Sequence, residues 1–291
     1  MAKKKPNNKK KTSAKKTTKT TTTTTTTVTT TTEVDKNLDT HYLLVLDRSG
    51  SMSSCWDATI EGLNEQLGTI RGLEKKYKEQ RYFVSLVVFD SEVETILEDV
   101  PVSEVEDFEG NEFPPRGLTA LHDAMGIGIS NLKANLKKKD KDSNSISTAL
   151  VVIMTDGGEN ASRENNAISI KEMIDELEGT KAWTFSFMGA NQDSVLTARN
   201  LGIRAGNTVN YSSTATGANV ASKTLSRAFA ARGASSNIAY MNTSSYCGGS
   251  NVTLDAMDLE TDTFLSDVVE GNTIGEDESK SKGKKDKKDK V

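Results

Sequence analysis

Two rhythms of apolar residues alternate along this chain, and each predicts an element. Leu43-Leu44-Val45-Leu46 is an unbroken apolar run that stops at Asp47. A strand with one wet face would alternate with polar residues, so the run predicts a strand buried on both faces. Trp56, Ile60, Leu63, Leu67, Ile70, Leu73 and Tyr77 follow at spacings of three and four, one face of a helix. Residues 82–89 predict a second buried strand, Asp90-Ser91 a turn, and residues 93–97 a third strand returning from it. An acidic loop ends at Pro114-Pro115, where neither helix nor strand can continue. Leu121, Met125, Leu132 and Leu136 mark the next helix, and residues 149–154 form the most apolar strand. Ile170, Met173, Ile174 and Leu177 predict a helix stopped by Gly179. A fifth strand over 183–188 follows, then a short helix with Val195, Leu196, Ala198 and Leu201, and a short edge strand over 208–211. The last helix, with Val220, Thr224, Leu225, Ala228 and Phe229, is expected to stop at Gly233.

Strands alternating with helices indicate an α/β fold. The expected sheet is mainly parallel with helices on both faces, and the one hairpin supplies an antiparallel edge strand. The folded body is expected over residues 41–233. Residues 1–40 read as a disordered Lys/Thr-rich tail: the first 20 hold nine lysines and no acid, and 20–32 are threonine apart from Val28. Neither stretch has apolar surface to offset the entropy of ordering. Residues 234–291 read as a mostly disordered tail, acidic and then basic.

The formal net charge is −4 although both ends are basic, so the middle of the chain is strongly acidic. That argues against a broad nucleic-acid footprint on the body. The lysine clusters leave one alternative open, a nucleic-acid-associated scaffold acting through its tails by counterion release, without interleaved aromatics for base stacking. Two distant cysteines, Cys55 and Cys247, favour a reduced, cytoplasmic setting. No apolar run approaches the ~18–20 residues of a membrane span. The basic N-terminus is not followed by the apolar segment of a secretory signal.

Chemistry gathers at three predicted strand or helix ends. Asp47, Ser49 and Ser51 follow the first strand, Thr119 opens a helix after the proline loop, and Asp156 follows the fourth strand. Ligands of open α/β sheets bind at the carboxyl ends of strands. If the first and fourth strands are neighbours, all five side chains can converge. Carboxylates and hydroxyls are hard ligands suited to Mg²⁺, with Mn²⁺ or Ca²⁺ as competitors, and no Cys/His set exists for zinc. So few charges leave room for water and for an oxygen from outside, such as a partner carboxylate. The plainer readings are a helix-end charge for Asp47, caps for Ser49 and Ser51, and a turn at Asp156-Gly157. Glu159, Asn160 and Asp193 read as loop anchors or surface residues near the same rim. No G-x-S-x-G elbow, G-x-x-x-x-G-K-[ST] or G-x-G-x-x-G is present, and His122 reads as an ordinary first-turn helix residue. A binding protein is therefore expected rather than an enzyme.

Asp47-x-Ser49-x-Ser51, then Gly117-Leu118-Thr119-Ala120-Leu121, then Thr155-Asp156-Gly157, taken in order, resemble the von Willebrand factor A (VWA) domain over about residues 41–233. The five oxygen residues resemble its metal-ion-dependent adhesion site (MIDAS). Residues 155–161 and 188–203 look most like stand-alone microbial or phage VWA proteins. The resemblance implies a Rossmann-like sheet with a metal at its upper edge. It implies Ser49, Ser51 and Thr119 as direct or switchable ligands, and Asp47 and Asp156 as ligands directly or through water. It implies, too, a metal-dependent protein-binding module whose partner supplies an Asp or Glu. Leu118 departs from the pair of glycines common before the threonine in that family.

Overall fold

In the computed structural model, which describes residues 37–142, 145–190 and 194–247, the first apolar run lies in β1 (Asn37–Asp47). The N-terminal lysine and threonine runs, Asp193 and the chain beyond residue 247 lie outside the described residues. After β1 come α1 (Trp56–Lys76), β2 (Gln80–Phe89), β3 (Val93–Pro101), α2 (Leu121–Asp142) and β4 (Ser145–Thr155). Then follow α3 (Ala167–Glu178), β5 (Trp183–Ala190), α4 (Ser194–Asn200), β6 (Thr208–Tyr211) and α5 (Ala215–Cys247). The sheet order is β3-β2-β1-β4-β5-β6. Only β3 runs antiparallel, at an edge, paired with β2; the other pairs are parallel. This is the α/β class, mainly parallel sheet and antiparallel edge strand that the sequence pattern predicts. The order is that of a doubly wound Rossmann-like sheet, and it reverses between β1 and β4.

The unbroken apolar run in β1 has a simple cause. Tyr42, Leu44 and Leu46 face one layer, packed with Leu63, Leu67 and Ile70 of α1 and Leu225 and Phe229 of α5. Leu43 and Val45 face the other, with Leu121, Met125 and Ile129 of α2 and Ile170 and Ile174 of α3. Strand residues point alternately to opposite faces, so a strand feeding two cores must be apolar throughout. Burying each such side chain contributes about 1.5–3 kcal/mol.

Two boundaries differ from the sequence reading. β1 begins at Asn37, ahead of the apolar signal at His41. Its polar start is accommodated because Arg81 of β2 grips the buried Asp39 carboxylate with two bonds, of 2.7 and 2.6 Å. At the other end, α5 runs through Gly233 to Cys247. Gly233 is a packing residue rather than a helix stop: a Cβ there would lie 2.9 Å from both Leu73 methyls of α1. Among the described residues, no helix is long and apolar enough to cross a membrane.

A second glycine sets the same helix pair. A Cβ on Gly62 of α1 would come within 2.7 Å of the Ser222 Cβ of α5, whereas nothing lies within 4 Å of one on Gly68. Gly62→Val should therefore lower the free energy of unfolding by about 2 kcal/mol or more through overpacking. Gly68→Ala should leave it unchanged or raise it by about 0.5–1 kcal/mol. Urea denaturation of the two variants checks the contrast.

Candidate functional site

β1 ends at Asp47, and the chain then turns through a 3-10 turn, Gly50–Ser54, into α1. The neighbouring parallel strand β4 pairs Leu46 with Met154, which brings Asp47 beside Thr155 and Asp156. Asp47 is buried and held from two sides. The Ser49 N–H donates to Oδ1 at 2.6 Å, and the Thr155 hydroxyl donates to Oδ2 at 2.5 Å. Asp156 is held in the same way. The Ser51 hydroxyl donates to Oδ1 at 2.6 Å, and the Ser213 hydroxyl, from the loop between β6 and α5, donates to Oδ2 at 2.7 Å. Ser49 Oγ and Ser51 Oγ share a hydrogen bond of 3.0 Å. Neither the N-cap of the 3-10 turn, Ser49, nor that of α1, Cys55, makes a side-chain cap bond. The Ser49 and Ser51 hydroxyls are thus turned toward each other and toward Asp156 rather than spent on a helix end.

Thr119 arrives from a loop whose backbone is bonded on every side. Leu118 N–H donates to Ser91 Oγ at 2.9 Å, and Thr119 N–H to Asn160 Oδ1 at 2.9 Å. The Thr119 carbonyl accepts from the N–H groups of Asn160 and Ala161, and Ala120 N–H donates to the Asp90 carbonyl at 2.7 Å. None of these bonds uses the Thr119 hydroxyl. Gly117, with φ +67°, is left-handed, and a Cβ there would lie 2.7 Å from Ser91 Oγ. This position needs glycine. The next does not: Leu118 has no positive φ, and its side chain is 55% exposed. Glu159 accepts the N–H of His122 at the start of α2 at 2.9 Å, and also the N–H groups of Ala161 and Ser162. Glu159 and Asn160 therefore anchor the loop that carries Thr119.

Three of the five residues meet beside Gly157, and Ser49 and Asp156 join them through Ser51. A Cβ placed on Gly157 would lie 3.1 Å from Thr119 Oγ1, 3.6 Å from Ser51 Oγ and 3.8 Å from Asp47 Oδ2. Asp47, Ser49, Thr119 and Asp156 are buried and Ser51 is exposed, so the cluster opens to solvent on the Ser51 side. Burial pushes the Asp47 carboxyl up to about 6, with the nearby Asp156 acting in the same direction and bonds from Thr155 and Ser49 opposing it. Burial likewise draws His122 down, against the pull of Glu159 and Asp123. Among the described residues, no group of three or more His, Cys, Asp or Glu side chains is placed to hold a metal. The donors here are two carboxylates and three hydroxyls.

Three contributors escaped the sequence reading. Thr155 stands next to Asp156 at a strand end, a position that could have flagged it. Ser213 stands in a short polar loop 57 residues away and carried no signal. Asp90, read only as a turn residue, joins the site's loops. It accepts from Arg48 Nε at 2.9 Å and from Arg116 Nε at 2.9 Å, and its carbonyl receives Ala120.

Comparison with known proteins gives no family identity. No family model matches the chain, and no curated protein matches it. Solved structures that match the chain do so at low identity and with TM-scores below 0.5. A von Willebrand factor type A protein from Catenulispora acidiphila is 11% identical, with a TM-score of 0.44 over 67% of this chain and 43% of that one. Proximal thread matrix protein 1 from the mussel byssus, with a zinc-occupied MIDAS motif, is 12% identical, with a TM-score of 0.47 over 69% and 49%. Manganese-loaded TRAP protein of Plasmodium vivax is 17% identical, with a TM-score of 0.39 over 64% and 72%. The chain spans about half the length of the first two, and no residue role is carried over from any of them.

The junction at Asp90 generates a prediction. Burial alone would raise its carboxyl. The bonds from Arg116 and the Glu92 N–H, together with the charges of Arg48 and Arg116, more than offset this and hold it below the usual range. A lowered carboxyl contributes stability that is present above the unfolded value of about 3.9 and is lost as pH falls through the folded one. Asp90→Ala leaves Arg48, which is 4% exposed, with Glu94 at 3.0 Å as its remaining carboxylate, at a cost of about 1–3 kcal/mol. Urea midpoints measured from neutral pH into acid should show that loss at neutral pH, and a shallower acid limb in the variant.

Proposed function

We propose that this protein is a metal-dependent protein-binding module. In this reading Asp47, Ser49, Ser51, Thr119 and Asp156 form a MIDAS-type site for Mg²⁺, with Mn²⁺ or Ca²⁺ as competitors. The observation that carries it is the convergence of Thr119, Ser51 and Asp47 oxygens on the space beside Gly157, where no side chain stands. The donor set fits a hard divalent cation: every donor is an oxygen, two are carboxylates, and the cluster opens to solvent at Ser51. A cation held there would supply a positive centre to which an Asp or Glu of another protein can bind.

The chain's own residues supply the rest. Asp47 and Asp156 are pinned by one donor on each oxygen, so neither has to be ordered when a ligand arrives. Thr119 is fixed by its backbone while its hydroxyl is left out of that bonding. The Asp47 carboxyl is raised chiefly by burial and in smaller part by the nearby Asp156, and a cation among these oxygens would favour its charged form. No catalytic role is assigned to any residue. A cytoplasmic setting belongs to the proposal and rests on the cysteine content alone.

Titration of the purified chain with Mg²⁺ and Mn²⁺, and partner pull-down with and without EDTA, test the reading together. Wild type should bind metal and should lose its partners in EDTA. Asp47→Ala should lose both, with metal affinity falling by roughly 100-fold. Gly157→Ala fills the space beside Thr119 without removing an oxygen, and should weaken metal binding while the circular dichroism spectrum stays unchanged. Partners that bind equally well in EDTA and to Asp47→Ala would sink the proposal.

A further inference from the structure

We infer that Ser213 is a positioning residue of this same site, which makes the loop between β6 and α5 part of the metal-binding machinery. The inference rests on the metal-site reading above and adds a residue outside its five. Ser213 is half-buried, and its hydroxyl donates to Asp156 Oδ2 at 2.7 Å. The other oxygen, Oδ1, accepts from Ser51 at 2.6 Å. A carboxylate with one donor on each oxygen cannot turn about its Cβ–Cγ bond without breaking one of them. Ser51 belongs to the candidate ligand set, and its oxygen also accepts from the Ser49 hydroxyl at 3.0 Å. Ser213 lies outside that set; its hydroxyl also neighbours the Cys55 thiol, and its donation to the charged Asp156 is of the stronger kind.

The loop that carries Ser213 is itself held. Its carbonyl accepts from the Ser54 hydroxyl at 3.2 Å, in the 3-10 turn that also contains Ser51. Thr214 N–H donates to the Ser212 carbonyl at 2.7 Å, and Gly217 N–H to Thr214 Oγ1 at 3.1 Å. A Cβ on Gly217 would collide with Ser212, so the turn is built tight. The loop is therefore bonded to the β1 loop through Ser54 and to the end of β4 through Asp156. The Tyr211 hydroxyl is buried with no hydrogen-bond partner among the described residues. Burial chiefly, and then Cys55, Asp156 and Asp47, push that hydroxyl's pKa upward. Ser213 thus ties the loop between β6 and α5 to Asp156 and holds that carboxylate in place.

The test is metal affinity in a small variant series, read by calorimetry with Mg²⁺ and by electron paramagnetic resonance with Mn²⁺. Melting temperature in EDTA serves as the structural control. Ser213→Ala should bind both ions about tenfold more weakly, the cost typical of an outer-shell partner. Its melting temperature in EDTA should stay close to that of wild type. Ser213→Thr keeps a hydroxyl and should restore most of the affinity. Ser213→Cys, close in size and a weak donor, should fall between, and serves as the loss variant if Ser213→Ala does not fold. Ser212→Ala, one residue away and without a bond to Asp156, should bind as wild type does. If wild type binds and Ser213→Ala binds equally well, the role of Ser213 is overturned and the five-residue site stands. An affinity lost in Ser213→Ala and not regained in Ser213→Thr also overturns it. If wild type binds neither ion, the site and this inference fall together.

Discussion

The parallel pairing of β1 with β4 is the constraint on which the rest of this molecule depends. It places Asp47 beside Thr155 and sets Asp156 one residue beyond. A slip of one residue would turn every side chain of β1 to the opposite face. Apolar content cannot hold that register alone, because β1 is apolar on both faces. Polar contacts mark it instead. Thr155 donates to Asp47 at one end, and at the other Thr148 Oγ1 lies 3.4 Å from Thr40 Oγ1 and 3.5 Å from the Asp39 carbonyl. The residues that fix the register at the upper end are thus the residues of the candidate site. Fold specification and site geometry are one problem here.

That arrangement carries an electrostatic cost. Two acids are brought into a buried space, where hydroxyls and a backbone N–H donate to them. Compare Asp90, also buried, which is matched by Arg48 and Arg116 and sits below the usual carboxylate range. Asp47 has hydroxyl and N–H donors only, and burial lifts it to about 6. A fold that needed Asp47 purely for stability would do better with an apolar residue or a basic partner. The sequence keeps an acid where its charge is disfavoured, which is the pattern the proposed cation site draws on.

How far the sequence could be read follows from the range of each interaction. The strands were legible because burial on both faces leaves an unbroken apolar run. The D-x-S-x-S turn was legible because three oxygen side chains fall within five positions. Thr119 and Asp156 could be joined to it through their places at element ends and through the resemblance of the three motifs together. Contacts between single polar residues far apart in the chain left no pattern. Ser213 reaches Asp156 across 57 positions, and Asn160 reaches Thr119 across 41. Gly233 misled for a related reason. A glycine that ends a helix and a glycine that lets two helices touch look alike in sequence, and only the Leu73 side chain beside it distinguishes them.

The loop around Thr119 shows why one glycine of the expected pair could be lost. Left-handed backbone and close approach to Ser91 fall on Gly117 alone, so the fold requires glycine only there. At Leu118 the backbone is ordinary and the side chain points to solvent beside Thr119. Backbone bonds on both sides, to Ser91 and to Asn160, hold this stretch in place. The exposed leucine therefore costs the fold nothing in backbone strain. It places apolar surface next to the oxygen cluster, where a glycine would leave only main chain. A partner acid reaching the oxygens would bring its neighbouring side chains against that leucine. Leucine where the resembled pattern has a second glycine would thus change the rim met by a partner of the proposed site, and it leaves the oxygens themselves in place.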